Sequence, residues 1–146
     1  MTPAILWPTI VLAALIFTVW GTLVVQRYGH ITRNPPTAAD FDNREAALRY
    51  FRPVEMSGNN LANLFEIPVL YFALVPLLML TNHADGFQVV LAWLYVLLRG
   101  LHSLIHIGSR QVNPRFIVYL ASCVVLFAMW AGFAIHLARF QPNGFG

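Results

Sequence analysis

Charge is what this 146-residue chain has least of. Only 10% of its residues are charged, where a soluble domain carries about 25%. A water-soluble globule is thereby excluded, and 58% hydrophobic residues gathered in long runs make this an integral membrane protein. Lysine is missing altogether; all nine cations are arginine. A net charge of +3 on such a chain is no nucleic-acid footprint, which needs a dense basic patch on a soluble module, so nucleic acid is not an expected partner. Cysteine is nearly absent. The single Cys123, inside the last apolar run, excludes an intrachain disulfide and any multi-cysteine metal site, and it reads as a small packing residue. No basic segment precedes the first apolar run, so Met1 to Trp7 does not read as the start of a cleavable signal.

What is present is four apolar runs, at about 4–25, 57–81, 86–107 and 114–138. Each is near the ~20 residues that cross ~30 Å of hydrocarbon. The expected fold is an all-α, four-transmembrane-helix bundle forming one domain over 1–146, surrounded by membrane lipid. Pro68 and Pro76 predict kinks in the second span, not breaks. Asn113 followed by Pro114 reads as a cap and first residue of the fourth. The one long connection, Gln26 to Met56, contains an extended stretch at Arg33–Thr37. It then has a helix start at Asp42, Asn43 and Glu45, and a short interfacial helix from Ala46 to Phe51 ended by Pro53. Arg27, Arg33, Arg44, Arg49, Arg52, Arg110 and Arg115 fall on one side of this layout and only Arg139 on the other. The positive-inside rule therefore makes the long loop cytoplasmic and places both termini outside the cytoplasm.

Two spans carry polar residues where hydrocarbon penalises them. The third holds Arg99, His102, Ser103 and His106; the second holds Asn59, Asn60, Asn63 and Glu66. An ionisable residue at such depth is a functional-site hypothesis by default. At 100° per residue the first set spans about 100° of arc, and Asn59, Asn63 and Glu66 span about 60°. Counting 1.5 Å per residue from the cytoplasmic ends, Glu66 and Arg99 both lie ~13 Å deep, and Asn63 and His102 ~9 Å deep. The rungs match, which predicts a Glu66–Arg99 ion pair inside a crevice open to the cytoplasm. Arg115 and Tyr119, at i and i+4 on the fourth span, can face the same crevice. Two other readings of these residues stay open. The polar groups can serve as interhelical glue, or His102 and His106 can join Glu66 as a His–His–carboxylate metal site.

In order and spacing, these residues resemble the MAPEG family, the membrane-associated proteins in eicosanoid and glutathione metabolism. The resemblance rests on Asn63-x-x-Glu66-x-Pro68, on Arg99-x-x-His102, and on Arg115 and Tyr119 beyond them. It implies a homotrimer with glutathione bound between subunits at the cytoplasmic end. It also implies that Arg115 is the catalytic residue, stabilising the glutathione thiolate for attack on a lipophilic small molecule. The binding set is then Asn59, Asn63, Glu66, Arg99, His102, His106 and Tyr119. The chain departs from the family's microsomal prostaglandin E synthase and glutathione transferase branch in three places. Met56 to Ala62 carries no charge where basic residues are usual, His106 stands where a tyrosine is usual, and Pro68 follows Glu66 one or two residues early. Arg49 and Arg52 are the candidates to replace the missing cations.

The function that follows is a glutathione-dependent transferase or peroxidase acting on a lipophilic electrophile. The alternative is a non-catalytic trimeric membrane protein that binds an amphiphile or partner and keeps the polar core as structure. Short loops and the lack of eukaryotic targeting signals favour a bacterial inner membrane.

Overall fold

The computed structural model describes residues 4–108 and 112–140. Among them the regular structure is entirely helical. The helices are α1 (Leu6–Arg33), α2 (Arg44–Phe51), α3 (Glu55–Phe65), α4 (Pro68–Leu80), α5 (Gly86–Gly108) and α6 (Val112–Phe140), with 3-10 turns at Ala38–Phe41 and Arg52–Val54. Four stretches are long and apolar enough to cross a membrane: Leu6–Arg33, Arg44–Leu80, Gly86–Ile107 and Asn113–Arg139. The four-span bundle read from the sequence is thus the fold. Arg110, counted among the cytoplasmic arginines, lies outside the described residues.

Three boundaries differ from expectation, each for a local reason. α1 continues past its apolar run to Arg33 because nothing breaks it before Asn34-Pro35; a residue preceding proline is driven out of the helical region. The Asn34 backbone N–H (2.9 Å) and side-chain amide (3.3 Å) both cap the His30 carbonyl there. The second span is broken, not merely kinked. Glu66 takes ψ −93° and separates α3 from α4, while Pro76 sits inside a continuous α4. The last span begins at Val112, so Asn113 and Pro114 lie within its first turn. The short helix of the long loop forms as expected, with Asn43 accepting the Ala46 N–H at 2.9 Å. Ahead of it, Thr37 and Asp40 close a capping box. The Thr37 backbone N–H, and then its hydroxyl, hold the Asp40 carboxyl below its ordinary range.

α5 organises the bundle with one buried stripe. Gln88, Ala92, Tyr95, Val96, Arg99, His102, Ser103 and His106 are all buried, recurring every three or four residues as one helix face must. The first half of that stripe is apolar. There Tyr95 stacks on Tyr71 of α4 with ring centroids 5.1 Å apart, and Thr9 of α1 meets the Tyr71 hydroxyl at 3.1 Å. Leu12 of α1 with Leu126, Met129 and Phe133 of α6 completes this core. Gln88 is accommodated among them because its amide donates to the Met129 carbonyl (3.1 Å), opposite the bare face of Gly132. The second half of the stripe is polar and defines the site described below.

The turn between α4 and α5 is tight. Asn82 has φ 54°, His83 N–H reaches the Leu78 carbonyl (2.8 Å) and Asn82 N–H the Met79 carbonyl (3.2 Å). These are the paired bonds of a Schellman ending, with asparagine at the left-handed position. Asn82→Ala is expected to cost about 1 kcal/mol, because a Cβ without a local polar compensation is disfavoured there. Asn82→Gly should be neutral or stabilising. Thermal unfolding in detergent checks both, and equal melting of the alanine and glycine variants would show that the turn is not strained.

Candidate functional site

The polar half of α5 faces α3 on one side and α6 on the other, and each neighbour receives specific bonds. Ser103 donates to the Asn60 side-chain oxygen of α3 at 3.2 Å. His102 Nδ1 lies 3.2 Å from the Arg115 carbonyl of α6, and His106 Nε2 lies 3.5 Å from the Arg115 guanidinium. The His102 and His106 rings meet edge-on at 5.6 Å, and the Tyr119 ring is 5.7 Å from His102. Arg99 is fully buried. One of its terminal nitrogens donates to the backbone carbonyl of Asn63, and the guanidinium carbon sits 5.4 Å from the Tyr119 ring centroid, a cation–π distance.

These contacts leave donors and acceptors over. Arg99 Nε and Nη1, Asn60 Nδ2, His102 Nε2 and His106 Nδ1 are buried with no hydrogen-bond partner among the described residues. Buried polar groups are nearly always satisfied, and an uncompensated guanidinium in a low-dielectric interior is costly. Five such atoms in one cluster fit a polar, anion-bearing ligand or ordered water.

Above the cluster lies an open groove of about 600 Å³ lined by Arg49, Arg52, Pro53, Glu55, Met56, Asn59 and Arg115. The loop reaches it because α2 is tied back onto the end of α1. Arg27 lies over Phe51 at 4.9 Å, His30 meets Tyr50 edge-on at 4.8 Å, and the Tyr50 hydroxyl donates to the Asn34 carbonyl. Three guanidinium groups therefore share one groove at the mouth of the polar cluster.

The candidate residues divide accordingly. Arg99, His102 and His106 are buried together, with Arg115 and Tyr119 half-buried beside them. The α3 side is rotated from the expected face. Asn60 is the buried amide, Asn59 is exposed on the groove, and Asn63 contributes its backbone carbonyl. The expected Glu66–Arg99 pair does not form among the described residues. Glu66 is exposed at the end of α3, about 20° from Asn59 at 100° per residue, so the same rotation that turns Asn59 outward turns Glu66 away from Arg99. The His102–His106–Glu66 metal set fails for the same reason. Among the described residues no group of three or more His, Cys, Asp or Glu could hold a metal ion. Sequence reasoning gave Asn60 no role, although Ser57, Asn60 and Leu64 form the buried i, i+3, i+7 stripe of α3. Ser57 on that stripe bonds Gln26 of α1 at 2.7 Å.

Fold and site together define a four-span helical membrane protein with an arginine-rimmed polar cluster at one end of the bundle. The chain belongs to the MAPEG family, whose model matches residues 5–135. That family includes glutathione transferases and peroxidases as well as non-catalytic members. No curated protein and no solved structure matches the chain.

Proposed function

We propose that this protein is a glutathione-dependent transferase or peroxidase acting on a lipophilic electrophile, assembled as a homotrimer with the arginine groove in the cytoplasm and both termini on the far side. The observation that carries this reading is the groove shared by Arg49, Arg52 and Arg115 at the mouth of the cluster. Glutathione has two carboxylates and, when reacting, a thiolate; three guanidinium groups match that charge pattern. Arg49 and Arg52 replace the cations missing from Met56 to Ala62, arriving from the loop instead of from the span.

The residues divide the work by position. Arg49 and Arg52 hold carboxylates at the rim. Arg99, Asn60 and His102 offer their uncommitted nitrogens to the peptide portion. Arg115 faces the thiol, where its positive charge favours the ionised form. Bound glutathione supplies the nucleophile, and the lipophile reaches it from the bilayer. Half-buried Tyr119, on the same side of the cluster, is a further pocket contact.

A non-catalytic role is favoured by a different observation: Arg99, His102 and Ser103 each bond to α3 or α6, as interhelical glue would. Titration calorimetry of the detergent-purified protein with glutathione separates the two. The proposed function expects binding in the micromolar-to-millimolar range, weakened by salt and by the paired change Arg49→Gln and Arg52→Gln. Absence of heat, with no protection of a labelled thiol analogue, would leave only the structural role.

A further inference from the structure

The break in the second span sits where proline chemistry puts it. Pro68 has no N–H for the Leu64 carbonyl, and its ring crowds that carbonyl. The last backbone bond of α3 is accordingly Glu66 N–H to Ala62 O at 3.1 Å, after which Glu66 leaves the helical region with φ −78° and ψ −93°. The chain re-enters a helix at Pro68 itself, in the first-turn position that proline favours. Within a bilayer the freed carbonyls of α3 need donors from elsewhere. The Asn63 carbonyl finds one in the Arg99 guanidinium, and the negative end of the α3 dipole lies at the same point.

This arrangement does more than repair a broken helix. Arg99 is fully buried, and the Asn63 carbonyl is its one hydrogen-bond acceptor among the described residues, with Nε and Nη1 left uncommitted. Among the described residues no acidic side chain forms an ion pair with it: Glu66, the carboxylate nearest in sequence to the break, is exposed. A guanidinium fixed by one nitrogen on a backbone carbonyl keeps its other donors and its full charge. One fixed by a bidentate carboxylate would have its charge neutralised and two of its five donors committed. Pro76, the other proline of the span, has no such consequence, because α4 runs through it without interruption.

We propose that Pro68 is a positioning residue for Arg99: by ending α3 at Phe65 it hands the Asn63 carbonyl to the guanidinium and so holds a singly anchored, charge-uncompensated arginine in the polar cluster. That this arginine then serves glutathione rests on the function proposed above; the anchoring itself does not.

Pro68→Ala restores the missing N–H and lets α3 and α4 join, so the Ile67 N–H competes with Arg99 for the Asn63 carbonyl. The expected results are a shift of the Arg99 Nε–H resonance, assigned by its loss in Arg99→Lys, and slowed exchange of the Ile67 amide. Glutathione affinity is expected to fall by about tenfold to a hundredfold, the effect of losing one charge-assisted hydrogen bond. Pro76→Ala should move neither resonance nor affinity. An Arg99 signal unchanged by Pro68→Ala, or shifted equally by Pro76→Ala, overturns the proposal whether or not glutathione binds. A shifted signal in a protein that never binds glutathione upholds the anchoring and sinks the proposed function instead. If Pro68→Ala does not fold, the wild-type protein in bilayers still decides. Dipolar recoupling between the Asn63 carbonyl carbon and Arg99 guanidinium nitrogens must report direct contact, and its absence refutes the anchor.

Discussion

Arg115→Leu is expected to lower glutathione-dependent turnover by about two to three orders of magnitude, the usual effect of deleting one preorganised group that stabilises developing anionic charge. The fold should survive the change. The Arg115 side chain is half-buried at the groove, and its one side-chain hydrogen-bond approach among the described residues is the 3.5 Å one to His106. The bond that ties α6 to α5 here uses the Arg115 backbone carbonyl, which accepts from His102 Nδ1–H, and leucine retains it. Arg115→Lys should keep part of the activity, since a point charge remains but the planar fork is lost. Initial rates with a lipophilic aromatic halide, alongside melting curves, provide the check. Wild-type turnover by the leucine variant would remove Arg115 from the chemistry, and a collapsed melting curve would make it structural.

The second large effect is on stability. Tyr71→Ala should cost about 3 kcal/mol, within the range for emptying a buried aromatic site. Tyr71 is fully buried, stacks on Tyr95 and bonds Thr9, so it joins α4, α5 and α1 at one point. Tyr71→Phe keeps the stack and loses only the hydroxyl contact, for about 1 kcal/mol or less. Unfolding in mixed micelles measures both. Near-equal losses would mean that the hydroxyl, not the ring, holds the three helices together.

How far the sequence foretold this site depends on the helix. α5 was legible: the 100° arithmetic put Arg99, His102, Ser103 and His106 on one face, and all four are buried on it. One stripe runs the length of α5, so its polar half must face wherever its apolar half faces. α3 had no such constraint. Periodicity shows which residues share a face but not which face meets a neighbour, and both Asn59 and Asn60 were available. The depth arithmetic assumed an unbroken second span. Glu66 still lies at the end of the α3 helix, but on the outward face it shares with Asn59, so equal depth did not bring it to Arg99. Arg49 and Arg52 were named as replacements for missing cations, yet no periodicity can place a loop. Their arrival beside Arg115 depends on tertiary contacts such as Arg27 over Phe51 and Tyr50 on Asn34.

α1 runs for 28 residues, which is about 42 Å of helix against about 30 Å of hydrocarbon. An upright α1 is thus roughly 12 Å longer than the oily layer is thick. The loop carrying Arg49 and Arg52 is tied to the C-terminal turns of α1, so in the proposed function that extra length holds the groove out at the aqueous face of the bundle. In the proposed function such a shape works as a phase-transfer device. A charged reagent can dock without leaving the aqueous phase, an oily one can arrive without leaving the membrane, and neither has to dissolve in the other's solvent for the two to meet.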